Sequence, residues 1–155
     1  MPPWIEPQLV AHARLLVESH RRVVGRPLLP EPAGSADIAR ALFQAPFVVV
    51  SHDTAAPPRL NYGNQRALEL WEMSWSRLIG TPSRETAEAA EREARERLLQ
   101  RVAREGFVDD YTGIRVSSRG RRFRIDRATV WAVVTPEGRP AGQAATFSQV
   151  SWLDP

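Results

Sequence analysis

Cysteine and lysine are both absent from this chain of 155 residues. Without thiols there is no disulfide, no thiolate metal site, no cysteine nucleophile and no thioether-linked chromophore. Without lysine, all 21 basic residues are arginine, so almost nothing titrates between the carboxylates and the guanidinium groups. A surplus of only +3 therefore drives the sequence pI to 10.4, and that pI is no signature of nucleic-acid binding. Histidine is scarce: His12, His20 and His52 are too scattered for shared ligation, so no metal is expected. No apolar run approaches the ~18 residues of a membrane span. The opening M-P-P-W-I-E-P lacks a signal peptide's basic and apolar regions, which makes a cytoplasmic location the expectation. Enzyme signatures are missing too: there is no G-x-S-x-G elbow, no H-E-x-x-H and no glycine-rich phosphate loop. Asp109 and Asp110 adjoin in a strand-like run, so alternation sends them to opposite faces. No catalytic residue is assigned.

What is present suits one soluble domain, with 43% hydrophobic and 25% charged residues. Residues 7–24 read as a helix with Leu9, Ala13, Leu16, His20 and Val23 on one side, stopped by Gly25 and Pro27. A proline-rich linker follows, then a short helix through Phe43 that Ser35 or Asp37 can cap. F-V-V-V-S-H is a buried strand, and Leu60 to Tyr62 form a second. At that second strand's end Gly63 permits a sharp turn, and Asn64 caps a helix whose inward stripe is Ala67, Leu68, Trp71 and Trp75. Glu69 and Glu72 are expected to face out. Residues 85–105 carry Glu-to-Arg pairs (Glu88 with Arg92, Glu91 with Arg95, Glu93 with Arg97) and an apolar stripe of Ala87, Ala90, Ala94, Leu98 and Val102. Three strands close the chain, over 107–117, 122–134 and 140–153.

The run N-Q-R-A-L-E-L-W-E-M-S-W-S-R-L-I-G, with the element order around it, resembles a PAS domain. The combination of A-P-F-V-V-V-S-H, N-Y-G-N-Q-R-A-L-E-L-W-E-M, G-F-V-D-D-Y-T-G-I-R-V-S-S-R-G-R-R-F and Q-A-A-T-F-S-Q is similar to the MEKHLA domain family. Those are PAS-like modules found alone in bacteria and at the C-terminus of plant homeodomain–leucine-zipper regulators. The resemblance implies an α+β fold: a five-stranded antiparallel sheet with helices on one face and an N-terminal helical extension. It divides the chain into a helix and linker over 1–34 and a PAS-like domain over 35–155. Glu72-Met73 stands where PAS domains often have glycine-tyrosine, so tyrosine-dependent contacts do not carry over. Flavin adducts and thioesters need the missing cysteine, and 85–105 offers no axial histidine for heme, so no cofactor is expected.

Pairing Ser117 with Arg122 across the S-S-R-G turn gives one face Val116/Phe123, Ile114/Ile125, Thr112/Arg127, Asp110/Thr129 and Val108/Trp131. Gln143, Ala145, Phe147 and Gln149 join it if Trp131 pairs with Gln143. That face holds a polar centre of Asp110 and Arg127, a buried ion pair or a ligand anchor. The expected ligand-binding set is Asn64, Trp71, Asp110, Arg127, Thr129, Trp131 and Gln143, around a cavity against the helix at 64–75. Tyr111 joins only if a bulge turns it inward. The other face sets Arg115 against Arg124, which implies exposure or an acidic partner. Ala128 to Val134 is apolar on both faces and needs an outer cover. The N-terminal helix, from the same or a second copy, can supply it, so a homodimer through that helix and the sheet is expected. The leading function is a non-enzymatic sensory, ligand-binding or dimerisation module with a regulatory role. A small-molecule protein or enzyme using Asp110–Arg127 is the alternative. Nucleic-acid binding is disfavoured, because no aromatic residues interleave the hairpin arginines.

Overall fold

The structure, a computed structural model, describes residues 3–30 and 35–153. Helix α1 spans Pro7–Val24, starting on proline and ending where Gly25 adopts a left-handed φ of 87°. It is followed by α2 (Ser35–Phe43), β1 (Val48–His52), β2 (Leu60–Gly63), α3 (Gln65–Trp71) and α4 (Trp75–Leu78). After two 3-10 turns come α5 (Arg92–Glu105), β3 (Phe107–Val116), β4 (Arg122–Val134), β5 (Pro140–Phe147) and β6 (Gln149–Trp152). Capping by Ser35 lies outside the residues whose side chains are described; Asp37 stands exposed in the first turn of α2. Residues 31–34 of the expected linker also lie outside them.

The strands form one antiparallel sheet in the order β2-β1-β5-β4-β3, and β6 pairs with the first half of β4. This is the expected α+β architecture. The last strand is broken at Ser148, opposite a kink in β4 where Arg127 takes a φ of 53°. Helix α1 lies on one face of the sheet. Leu9, Ala13 and Leu16 share a buried apolar cluster there with Ala39, Leu42, Val49, Trp131 and Val133. The N-terminal segment is thus part of the same core as the sheet. The other face carries α3 and α5, with Trp71, Phe123, Ile125 and Phe147 in one cluster and Leu98, Val102, Val108 and Val130 in a second.

The register of the β3–β4 hairpin differs from expectation by one residue. Ser117 N–H bonds the Arg121 carbonyl at 2.9 Å, so Val116 faces Arg122 and Arg115 faces Phe123. The turn is three residues long with Gly120 at a φ of 78°, the geometry of a three-residue hairpin loop. One residue of slip exchanges the faces of a strand. Farther along, β3 is irregular between Val108 and Tyr111, and the Arg127 kink shifts β4. Trp131 pairs with Ala144, and Gln143 with Ala132, again one residue from the expected partner.

Candidate functional site

Asn64 ties the junction between β2 and α3 together. Its Oδ1 accepts from Ala67 N at 3.2 Å as the helix cap, and from Val49 N at 3.0 Å. Its Nδ2 donates to the carbonyls of Leu42 at 3.1 Å and Phe47 at 2.8 Å. All four hydrogen-bonding positions of the amide are used, and the residue is fully buried. Asn64 therefore joins α2, β1 and α3 and has no bond left to offer a ligand. Helix α3 then stops where Glu72 takes a left-handed φ of 57°. Glu72 is not solvated as expected. It accepts from Ser117 Oγ and from Arg121, each at 2.8 Å, which fixes the β3–β4 hairpin and holds its carboxyl below the usual range. Trp75 sits beyond this break and packs against Tyr62 and Phe43, away from Trp71.

Between α5 and the inner face of the sheet lies a cavity of about 70 Å³. Several waters fit in such a volume, at ~10–15 Å³ each. Trp71, Gln143 and Tyr111 line it, together with His52, Arg95 and Arg115. Three buried polar atoms on this lining have no partner: Trp71 Nε1, His52 Nε2 and Gln143 Oε1. Gln143 spends its other end on the Leu99 carbonyl at 2.9 Å, reaching across to α5. His52 Nδ1 lies 2.9 Å from the Asp53 carbonyl and must be the protonated nitrogen, which leaves Nε2 a bare acceptor. Burial lowers the pKa of His52, and Arg95 nearby adds to the effect.

Of the expected set, the structure brings Trp71 and Gln143 together at the cavity. Tyr111 joins them, because the irregularity between Val108 and Tyr111 turns it inward. Asp110 and Arg127 do not form a buried centre. Both are exposed, and no ion pair between them occurs among the described residues. The cause is the slipped register on β3 and the left-handed kink at Arg127 itself. Thr129 and Trp131 fall on the opposite face for the same reason. The indole N–H of Trp131 donates to Ser19 Oγ of α1 at 3.1 Å, and its ring packs on His20.

Arg95 and Arg115 escaped the sequence reading. Both are buried, at 4% and 7% exposure. Arg95 was expected to pair with Glu91 on a solvated helix face, but the buried stripe of α5 is Arg95, Leu98 and Val102. The spacing i, i+3, i+7 counted from Arg95 contained that signal. Arg115 was assigned to the solvent face by the register that placed Val116 inward. Its guanidinium lies 5.5 Å from the centre of the Tyr111 ring. Tyr111 has room to lie along the strand because Gly113 has no side chain; any Cβ there would collide with the phenol. Burial, then the charge of Arg115, lowers the pKa of Arg95 to about 10, so it stays a cation at neutral pH. Three other hairpin arginines are balanced at the surface, Arg121 by Glu72, Arg122 by Glu88 and Arg124 by Asp126.

The model of the MEKHLA domain matches residues 10–152. No curated protein matches the chain. Among solved structures, the PAS domain of a protein from Colwellia psychrerythraea superposes with a TM-score of 0.63 at 14% identity, over 74% of this chain and 92% of that one. A light-oxygen-voltage domain studied with a flavin analogue gives 0.59 at 15% identity, over 76% and 84%. An RNA-binding light-oxygen-voltage receptor gives 0.61 at 18% identity, and this chain spans 32% of its length. Likeness at these identities establishes a shared fold and carries over no ligand.

Proposed function

The chain belongs to the MEKHLA domain family, and on that premise we propose that it is a regulatory, non-enzymatic PAS-like module that takes a small molecule into the cavity beneath α5. One observation carries the reading: Trp71, His52 and Gln143 all line this cavity, and Trp71 Nε1, His52 Nε2 and Gln143 Oε1 are buried there without partners. Buried polar atoms are nearly always satisfied, so three at one cavity point to a missing occupant. An apolar lining with a few convergent polar groups is also the usual form of a small-molecule site. The enzyme alternative rested on a buried Asp110–Arg127 centre, and those two side chains are exposed. Nucleic-acid binding loses support as well, since Arg121, Arg122 and Arg124 each have a carboxylate partner.

Native mass spectrometry of freshly purified protein tests the reading. The expected spectrum contains a small-molecule adduct that is released on unfolding. The same spectrum reports whether the chain forms the expected homodimer. Bare protein, combined with no rise in Tm across a broad panel of small molecules, would end the proposal.

A further inference from the structure

The cavity contains two buried cations and no buried anion. Arg95 reaches into it from α5 and Arg115 from β3. Buried charges in proteins are almost always paired, because an unpaired one forfeits its hydration without compensation. Arg95 donates to Ser83 Oγ, and its one carboxylate contact among the described residues is Glu96 at 3.4 Å, whose side chain is 58% exposed. Arg115 donates to the Ile114 carbonyl at 2.9 Å and stacks on Tyr111. Among the described residues no carboxylate lies within ion-pair distance of it. Each guanidinium offers five N–H donors in a planar fork, so both keep donors in reserve. Two like charges lining one cavity repel each other, and the repulsion would be relieved by a negative charge between them.

The rest of the lining limits what that negative charge can belong to. Leu98, Ile125, Val130 and Phe147 give it an aliphatic and aromatic character, which an inorganic ion would leave uncontacted. A volume of about 70 Å³ admits only a small body. Building on the function proposed above, we propose that the cavity binds a small organic monocarboxylate, its carboxylate held between Arg95 and Arg115 and its apolar remainder against the hydrophobic lining. Planar bidentate pairing suits guanidinium and carboxylate, and it is stronger where water is excluded.

The test uses the full chain and measures Tm and calorimetric binding at fixed ionic strength. The probes are acetate, propanoate and butanoate, each beside its neutral amide, with inorganic phosphate as control. At least one acid should bind ten times or more tighter than its amide. Arg115→Gln should abolish that preference while raising the Tm of the ligand-free protein, because it removes an uncompensated buried charge. A merely structural arginine would give the opposite sign of Tm change. Arg95→Gln serves as a second variant and should also lose the preference, with a smaller gain in Tm because its bond to Ser83 goes too. Amides binding as well as acids would overturn the carboxylate assignment and leave the cavity's sensory role standing. Binding of phosphate alone would also overturn it, as would a fall in Tm for Arg115→Gln. No response to any probe, with no adduct in the native spectrum, would remove both proposals together.

Discussion

The two faces of the sheet are covered in opposite ways. On the outer face, α1 lays Leu9, Ala13 and Leu16 onto Trp131, Val133 and Val49, and the polar groups caught between them find partners. Trp131 donates to Ser19, His20 meets the Arg26 carbonyl at 2.9 Å, and His12 sits 3.1 Å from Ser51 Oγ. The Tyr62 hydroxyl is the exception among the described residues. On the inner face, α3 and α5 span a cavity with three unpartnered polar atoms and two cations. The difference shows where stability is concentrated and where it has been given up. On the outer face nearly every buried polar group is hydrogen-bonded, while the inner face retains the kind of imperfections that binding sites keep.

The contrast breaks first if the outer face proves as tolerant as the inner. Leu16 is fully buried at the centre of the α1 contact. Leu16→Ala should cost about 3 kcal/mol, the transfer and cavity penalties together. Chemical denaturation measures it. Removal of residues 1–25 should go further, exposing the apolar face of β4 and producing aggregation. A loss below ~1 kcal/mol for Leu16→Ala, the range of an exposed site, would mean that α1 is only loosely docked.

A second way to sharpen it is pH. Burial lowers the pKa of His12 on the outer face to about 4, from the usual 6.5. Ser51 Oγ donates to Asn61, so it accepts from His12 Nε2 and fixes the Nε2–H tautomer of the neutral ring. The folded pKa lies below the unfolded one, so the unfolded chain binds more protons as pH falls below 6.5. Stability is therefore flat above that value and declines from it toward about 4. From about pH 8 to about pH 5 the loss should be about 2 kcal/mol. His20 and His52 are shifted in the same direction and add to the slope. Asp53 and Glu72, held low by their hydrogen bonds and charged neighbours, act only at more acid pH. Thermal melts across this range on the wild type and on His12→Gln measure the effect. An equal slope in both would show that His12 is not the buried neutral group.

How far the sequence reached differs between the same two faces. The outer cover was legible: α1 runs over the expected residues, and its stripe of Leu9, Ala13, Leu16 and His20 is buried as a period of 3.6 requires. The element order followed from strand and turn signals, and the single antiparallel sheet was what the resemblance implied. The inner face was only half legible. Trp71 was found because helix phase acts within one element, whereas Gln143 was placed inward by two register slips that cancelled: Trp131, its expected partner, faces outward, and Gln143 pairs with Ala132. Arg115 was lost, and Asp110 and Arg127 wrongly placed inward, because their positions depend on the pairing between elements. A hairpin loop of three residues rather than four decided that pairing. Composition also misled the assignment, since a charged residue is ordinarily placed on the solvent side. Arg95 shows the same bias: its position in the helix pointed inward and its chemistry pointed out.

The smallest effect bears on the kink that separates the two halves of β4. Arg127 occupies a left-handed conformation at a φ of 53°, and its side chain is exposed. A left-handed residue with a Cβ costs ~1–2 kcal/mol. Glycine escapes that cost but gives back roughly 0.5–1 kcal/mol through the greater freedom of the unfolded chain. Arg127→Gly should therefore stabilise by a few tenths of a kcal/mol to about 1 kcal/mol. Arg127→Ala keeps the Cβ and loses only a solvated guanidinium, so it should stay within about 0.5 kcal/mol of wild type. Arg127→Val puts a branched Cβ into the same conformation and should be the least stable of the three. If Arg127 instead neutralised Asp110 inside the fold, Arg127→Ala would leave a buried carboxylate unpaired and cost roughly 3–5 kcal/mol. Denaturation midpoints of the three variants separate the alternatives. A kink gives the order glycine, alanine, valine with small steps, and an internal ion pair gives a uniform large loss.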